Sequence, residues 1–356
     1  MLSPGPQRIG KRLAWLDALR GLAAVLVVYE HAVAGLSPSV HAAGGAWFAA
    51  GWCGVMVFFL ASGYIVPASL ERRGEVRAFW IGRVFRLYPL WALCMAGALV
   101  LLPVTGSPLA HLSMLQDLLG TPSAVSVLWT LSYEMAFYLL VTALFTLGAH
   151  RRSAEIALGL AAVALAGAAL LPTGALTGAS LLALAVIAAG LAAVLGGDGP
   201  VRQAGAAVLL VAVTALLAFN GRLPAWQSLI VVATMFSGTA LYRAEQGQIT
   251  WARAWIVLAV PVAGVLLSPG TNLKTAFVAA WAIFLAGMAL RGRGVPYVLS
   301  WLGLVSYSVY LLHPLLLRVM PALWAVPATF ALSALTWRWV EAPAQRLGRR
   351  LVSAGG

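Results

Sequence analysis

The apolar segment LAWLDALRGLAAVLVVYEHAVAGL carries an arginine, Arg20, and a histidine, His31. An ionisable side chain in hydrocarbon is costly and marks a functional site by default. In a helix, eleven residues make close to three turns, so the two side chains share one face, roughly 16 Å apart along it. An imidazole titrates near neutrality, which suits His31 to general-base work. The structural alternative is a buried histidine bonded to a neighbouring helix. Asp17 precedes Arg20 by one turn and is placed to pair with it. Glu30 points about 100° away from His31.

Other apolar segments hold further polar groups. In FWIGRVFRLYPLW, Arg83 and Arg86 lie one turn apart, ahead of Tyr88 and Pro89. Paired guanidinium groups recognise phosphate through bidentate hydrogen bonds; the plain alternative is a topology anchor, the role expected of Arg72 and Arg73. SVLWTLSYEMAFYLL places Glu134 among Trp129, Ser132, Tyr133 and Tyr138, as a proton-relay member, an orienter of a base, or an arginine's partner. His313, in SYSVYLLHPLLL, stands before a helix-weakening Pro314. Ser62 and Gly63, in VFFLASGYIV, read first as a helix-packing pair. His41, His111 and His150 fall in loops. Cys53 and Cys94 sit in apolar segments, and no metal-ligand spacing, phosphate loop, dinucleotide fingerprint or nucleophile elbow is present.

The elements that must position these groups are transmembrane helices. Of 356 residues, 62% are hydrophobic and 9% charged, and the mean hydropathy is +0.92; a soluble chain is about 25% charged. Apolar runs near 13–35, 46–69, 80–103, 125–147, 154–171, 178–195, 203–219, 225–242, 254–268, 273–290, 297–317 and 322–340 predict an all-α polytopic bundle of 10–12 spans. The formal charge of +13 gathers at alternate span ends, including Arg8, Lys11 and Arg12, whereas 36–45, 104–124 and 172–177 hold no Lys or Arg. That asymmetry predicts an inner-membrane chain with both termini cytoplasmic, associated with anionic lipid rather than nucleic acid. The expectation is one membrane domain over 1–356, with short tails at 1–12 and 343–356.

Taken in order, LDALRGLAAVLVVYEH, FFLASGYIV, RVFRLYPLW, WTLSYEMAFYLL, SYSVYLLHPLLL and WRWVEAPAQR resemble the integral-membrane acyltransferase family 3 over most of the chain. The resemblance implies transfer of an acyl group, often acetyl, from cytoplasmic acyl-coenzyme A to a hydroxyl of a carbohydrate-containing acceptor, such as an envelope polysaccharide or a macrolide. It carries Arg20 and His31 onto the family's essential pair, Arg83 and Arg86 onto its basic motif, and Glu134 onto its fourth-span acid. His31 would then deprotonate the acceptor, directly or through an acyl-enzyme. Glu134 would orient or recharge it, and Arg20, Arg83 and Arg86 would hold donor phosphates, with no metal. Gly82 stands where the family often has a second arginine. Two rivals remain: a transporter or flippase, and the unrelated membrane-bound O-acyltransferase type, in which His313 would be indispensable. The excess of Arg over Lys, with abundant Ala, Gly and Leu, suggests a GC-rich bacterial genome. Self-association is left open.

Overall fold

The computed structural model describes residues 13–167, 171–266 and 270–354. Arg8, Lys11 and Arg12, with residues 168–170 of the run 154–171 and 267–268 of the run 254–268, lie outside them. The described chain forms α1 (Ala14–Leu36), a short α2 (Pro38–Gly45), α3 (Ala50–Arg73), α4 (Val76–Leu101), a one-turn α5 (Pro108–Leu112), α6 (Trp129–Thr146), α7 (Ser153–Gly167), α8 (Ser180–Gly196), α9 (Gly199–Phe219), α10 (Ala225–Glu245), α11 (Trp251–Leu266), α12 (Thr271–Ala289), α13 (Tyr297–Val319), α14 (Ala322–Thr336) and α15 (Ala342–Ala354). A π-turn over Trp337–Glu341 joins the last two. Each of the twelve apolar runs is a helix, and no strand occurs among the described residues.

Among those residues, eight helices are long and apolar enough to cross a membrane, and α7 and α11 are shorter apolar helices. Helix α10 is outside both groups because it needs no lipid-compatible surface. It is buried without a break from Ser228 to Ala244. Its hydroxyls are satisfied internally, as in Thr234 to the Ile230 carbonyl (2.8 Å) and Thr239 to the Gly63 carbonyl (2.8 Å). Protein rather than lipid surrounds it, so its polar residues carry little cost.

Two close crossings fix the centre. Helix α10 meets α3 where Gly63 lies against the Met235 backbone and Gly238 against Leu60. Helix α1 meets α13 where Gly21 faces Leu302 and Gly303 and where Gly303 touches the Asp17 backbone. A β-carbon on Gly21 would stand 2.7 Å from the Leu302 Cβ and 2.8 Å from the Gly303 nitrogen. Only glycine allows backbones this near, the small-residue packing that substitutes for a hydrophobic driving force in lipid. The α1–α13 contact brings together the two helices that carry His31 and His313.

Candidate active site

At the end of the bundle where α1 begins and α3 finishes, a cavity of about 720 Å³ opens. Leu13 and Val352 both line it, so the two described chain ends lie at this same end. Its mouth is set by the exposed Arg72, Arg73, Arg346 and Arg349, and its floor by the half-buried Arg20, Arg83 and Arg86. Two carboxylates, Asp17 and Glu341, line the same space. Asp17 and Arg20, one turn apart on α1, both border it. The Nε of Arg20 is buried without a hydrogen-bond partner, and its side chain borders the cavity.

Gly82 acquires a meaning in this setting. A β-carbon there would stand 2.9 Å from Nη1 of Arg73, which donates to the Ala78 carbonyl at 2.7 Å. The guanidinium of Arg73, from the end of α3, therefore lies over Gly82 of α4.

Beyond Arg20 lies a second space of about 50 Å³, lined by Arg20, Val55, Phe58, Phe59, Ser62, Thr130, Leu131, Glu134, Ser306, Tyr307 and Tyr310. Arg20, Ser306 and Tyr307 border both spaces, so Arg20 stands at the neck between them. The inner space has room for roughly three to five waters at ~10–15 Å³ each. Ser62 faces it while neighbouring Gly63 serves helix packing; the two residues of that pair divide the roles between them.

Glu134 is not bonded to His31. It accepts a hydrogen bond from Tyr138, one turn on, and Tyr138 in turn receives Arg83 Nη1 at 3.5 Å. Arg83 also stacks over the rings of Phe79 and Tyr138, at 4.9 and 5.0 Å. Of the roles open to Glu134, these contacts match an arginine's partner: helix geometry turns it toward Tyr138, Arg83 and the neck. Tyr133, one residue away, points elsewhere. Its hydroxyl meets Ser228 Oγ at 2.8 Å and Asp117 Oδ2 at 3.2 Å, which ties α6 to α10 and to the 113–125 connection.

The direct neighbour of His31 is His313. Their rings are 5.0 Å apart, and His313 Nε2 lies 3.4 Å from His31 Nδ1. Each Nδ1 also faces a carbonyl four residues back, Val27 at 2.9 Å and Val309 at 3.0 Å. A carbonyl only accepts, so in both neutral rings the network assigns the proton to Nδ1 and leaves Nε2 as a lone-pair base. His313 Nε2 then faces the Nδ1–H of His31. Pro314 does not break α13, which runs on to Val319. Tyr310 packs on His313 at 6.2 Å and on Phe58 at 5.6 Å, and its hydroxyl meets Thr130 at 2.8 Å. Tyr310 therefore links the inner space to the histidine pair.

Several of these residues escape a reading of the sequence. Glu341 accepts from Ser308, which also receives Thr336 at 2.8 Å, because the π-turn rotates it inward. Tyr307, Tyr310, Arg346 and Arg349 look like ordinary aromatic belt and positive-end residues; only their position on the cavity wall distinguishes them. His41 is helical, on α2, and bonds Glu30 at 2.9 Å, while His111 is buried and accepts from the Ala124 amide at 3.1 Å. Both organise connections at the far end. Among the described residues no group of three or more His, Cys, Asp or Glu could hold a metal ion.

The model of a family described as an acyltransferase domain matches residues 13–340. No curated protein and no solved structure matches the chain.

Proposed function

The chain belongs to the acyltransferase family whose model spans nearly all of it, and from that premise we propose a membrane O-acyltransferase that moves a short acyl group from acyl-coenzyme A to a hydroxyl of a carbohydrate-containing acceptor. The observation that carries this reading is the adjacency of the two spaces: the arginine-lined cavity and the small pocket share Arg20, Ser306 and Tyr307, and Tyr310 on the wall of the small pocket packs against His313, the neighbour of His31. Basic span ends face the cytoplasm, which is where the donor is made. Arg83 and Arg86 on the floor neutralise its diphosphate, and Arg20 at the neck steadies the arm that carries the thioester inward. Glu134 and Tyr138 hold Arg83 and the neck in shape. The inner pocket fits an acetyl-sized group and excludes a long chain.

In the reaction, His31 Nε2 removes the proton of the acceptor hydroxyl. The oxygen attacks the thioester carbonyl, the C–S bond breaks, and the coenzyme A thiolate recovers the proton from the imidazolium. His313, with its Nε2 toward His31, supports the charged ring while it holds that proton. The test uses purified protein in nanodiscs with labelled acetyl-coenzyme A and a panel of glycosylated acceptors, with release of free thiol and label transfer both followed. Loss of both in His31→Ala is expected. Full activity in that variant rejects the base, and acceptor movement across the bilayer of reconstituted liposomes without thiol release replaces the enzyme with a transporter.

A further inference from the structure

The family match ends at residue 340, yet the larger cavity is walled by helix α15, which begins at Ala342. This helix is strongly two-faced. Gly348 is buried against Phe85 of α4, where a β-carbon would stand 2.8 Å from the Phe85 Cβ, and this contact fixes the rotation of the helix. With that rotation set, Arg346 and Arg349, one turn apart, line the cavity, while Arg350, about 100° further round, does not. Across the mouth stand Arg72 and Arg73. The three floor arginines are less exposed, so the basic lining has an outer and an inner set, and the two carboxylates that share it do not balance them.

Two sets of cations suit a ligand with phosphate at two places. We propose that Arg346 and Arg349 form a phosphate clamp at the mouth that holds the 3′-phosphate of the donor's nucleotide while the floor arginines hold its diphosphate. The clamp rests on the acyl-coenzyme A reading above. It makes α15, outside the matched domain, a specificity element for the donor. Anionic lipid headgroups share the phosphate chemistry, and the experiment separates the two sources.

Transfer rates are measured with acetyl-coenzyme A and with its 3′-dephospho analogue, in nanodiscs of neutral lipid and of mixed anionic lipid. Wild-type protein is expected to show a KM roughly 10- to 100-fold lower for the phosphorylated donor, the size of a charge-assisted contact. Arg346→Gln/Arg349→Gln loses that preference with kcat unchanged, and Arg350→Gln behaves as wild type. Gln keeps helix propensity, and a melting curve checks each fold. If the double variant turns over acetyl-coenzyme A and keeps the preference, the clamp is overturned while the donor reading stands. If its effect appears only with anionic lipid and is equal for both donors, the ligand is a headgroup and the clamp is likewise overturned. If wild-type protein neither uses nor binds acetyl-coenzyme A, the donor reading falls and takes the clamp with it.

Discussion

Replacing Gly21 by alanine tests whether the crossing of α1 and α13 positions the histidine pair. The new β-carbon would meet the Leu302 Cβ at 2.7 Å, and ordinary contact begins near 3.4 Å, so α13 must retreat by about 0.7 Å. Carried along α13 as a rigid shift, that takes the His31–His313 contact from 3.4 Å to about 4.1 Å, beyond hydrogen-bond range. Overpacking costs ~1–3 kcal/mol, and the gain in helix propensity over glycine returns ~0.5–1 kcal/mol. The protein should therefore fold with a modestly lower melting temperature. Activity should fall far more, by about 100-fold, because a shift approaching 1 Å at a reacting centre has that effect. Gly35 on the same helix is the control: a β-carbon there would lie 3.8 Å from the Ala322 Cβ, and Gly35→Ala should leave rate and melting temperature equal or slightly improved. Acetyl transfer and intrinsic-fluorescence melting on both variants decide the matter. Parental rates in Gly21→Ala would refute the idea that this crossing sets the catalytic distance.

Three other expectations follow from the packing. Arg73→Ala should raise the donor KM roughly 10-fold, and Gly82→Arg in the same chain should recover most of it, because the new guanidinium enters the space left open; no recovery in steady-state kinetics would mean that Arg73 does not stand in for a residue on α4. Arg243 is 1% exposed and donates to Ser153 (2.9 Å), Glu71 (2.5 Å), the His150 carbonyl (2.6 Å) and Gln248 (2.6 Å). Arg243→Met leaves Glu71 unpaired and should cost about 3–5 kcal/mol in detergent unfolding; an unchanged midpoint would count against that network. Burial lifts the Asp117 carboxyl from its usual 3.8 to about 6, although Tyr133 and Arg222 both act to lower it. With the folded value above the unfolded one, its contribution to stability is complete below pH 3.8 and is lost as pH rises through about 6. Asp117→Asn should flatten the melting-temperature profile between about pH 4 and pH 6, and an unaltered slope would show that another group titrates there.

Composition alone determined that this chain lives in a membrane, since a helix in lipid must satisfy its own backbone and show apolar side chains outward. All twelve helical runs were legible for that reason, even α10, whose polar residues only the surrounding protein makes tolerable. The face shared by Arg20 and His31 was legible too, because helical period is a local property. Partnerships across helices were not. His313 beside His31 and Arg73 laid over Gly82 depend on how separate helices cross, whereas Glu134 finds Tyr138 one turn on in its own helix. Nothing within one helix encodes the rotation of its neighbour; close contacts at Gly21, Gly303 and Gly348 set it. Sequence thus named the ionisable groups that hydrocarbon would not hold idly, and tertiary packing decided which of them meet.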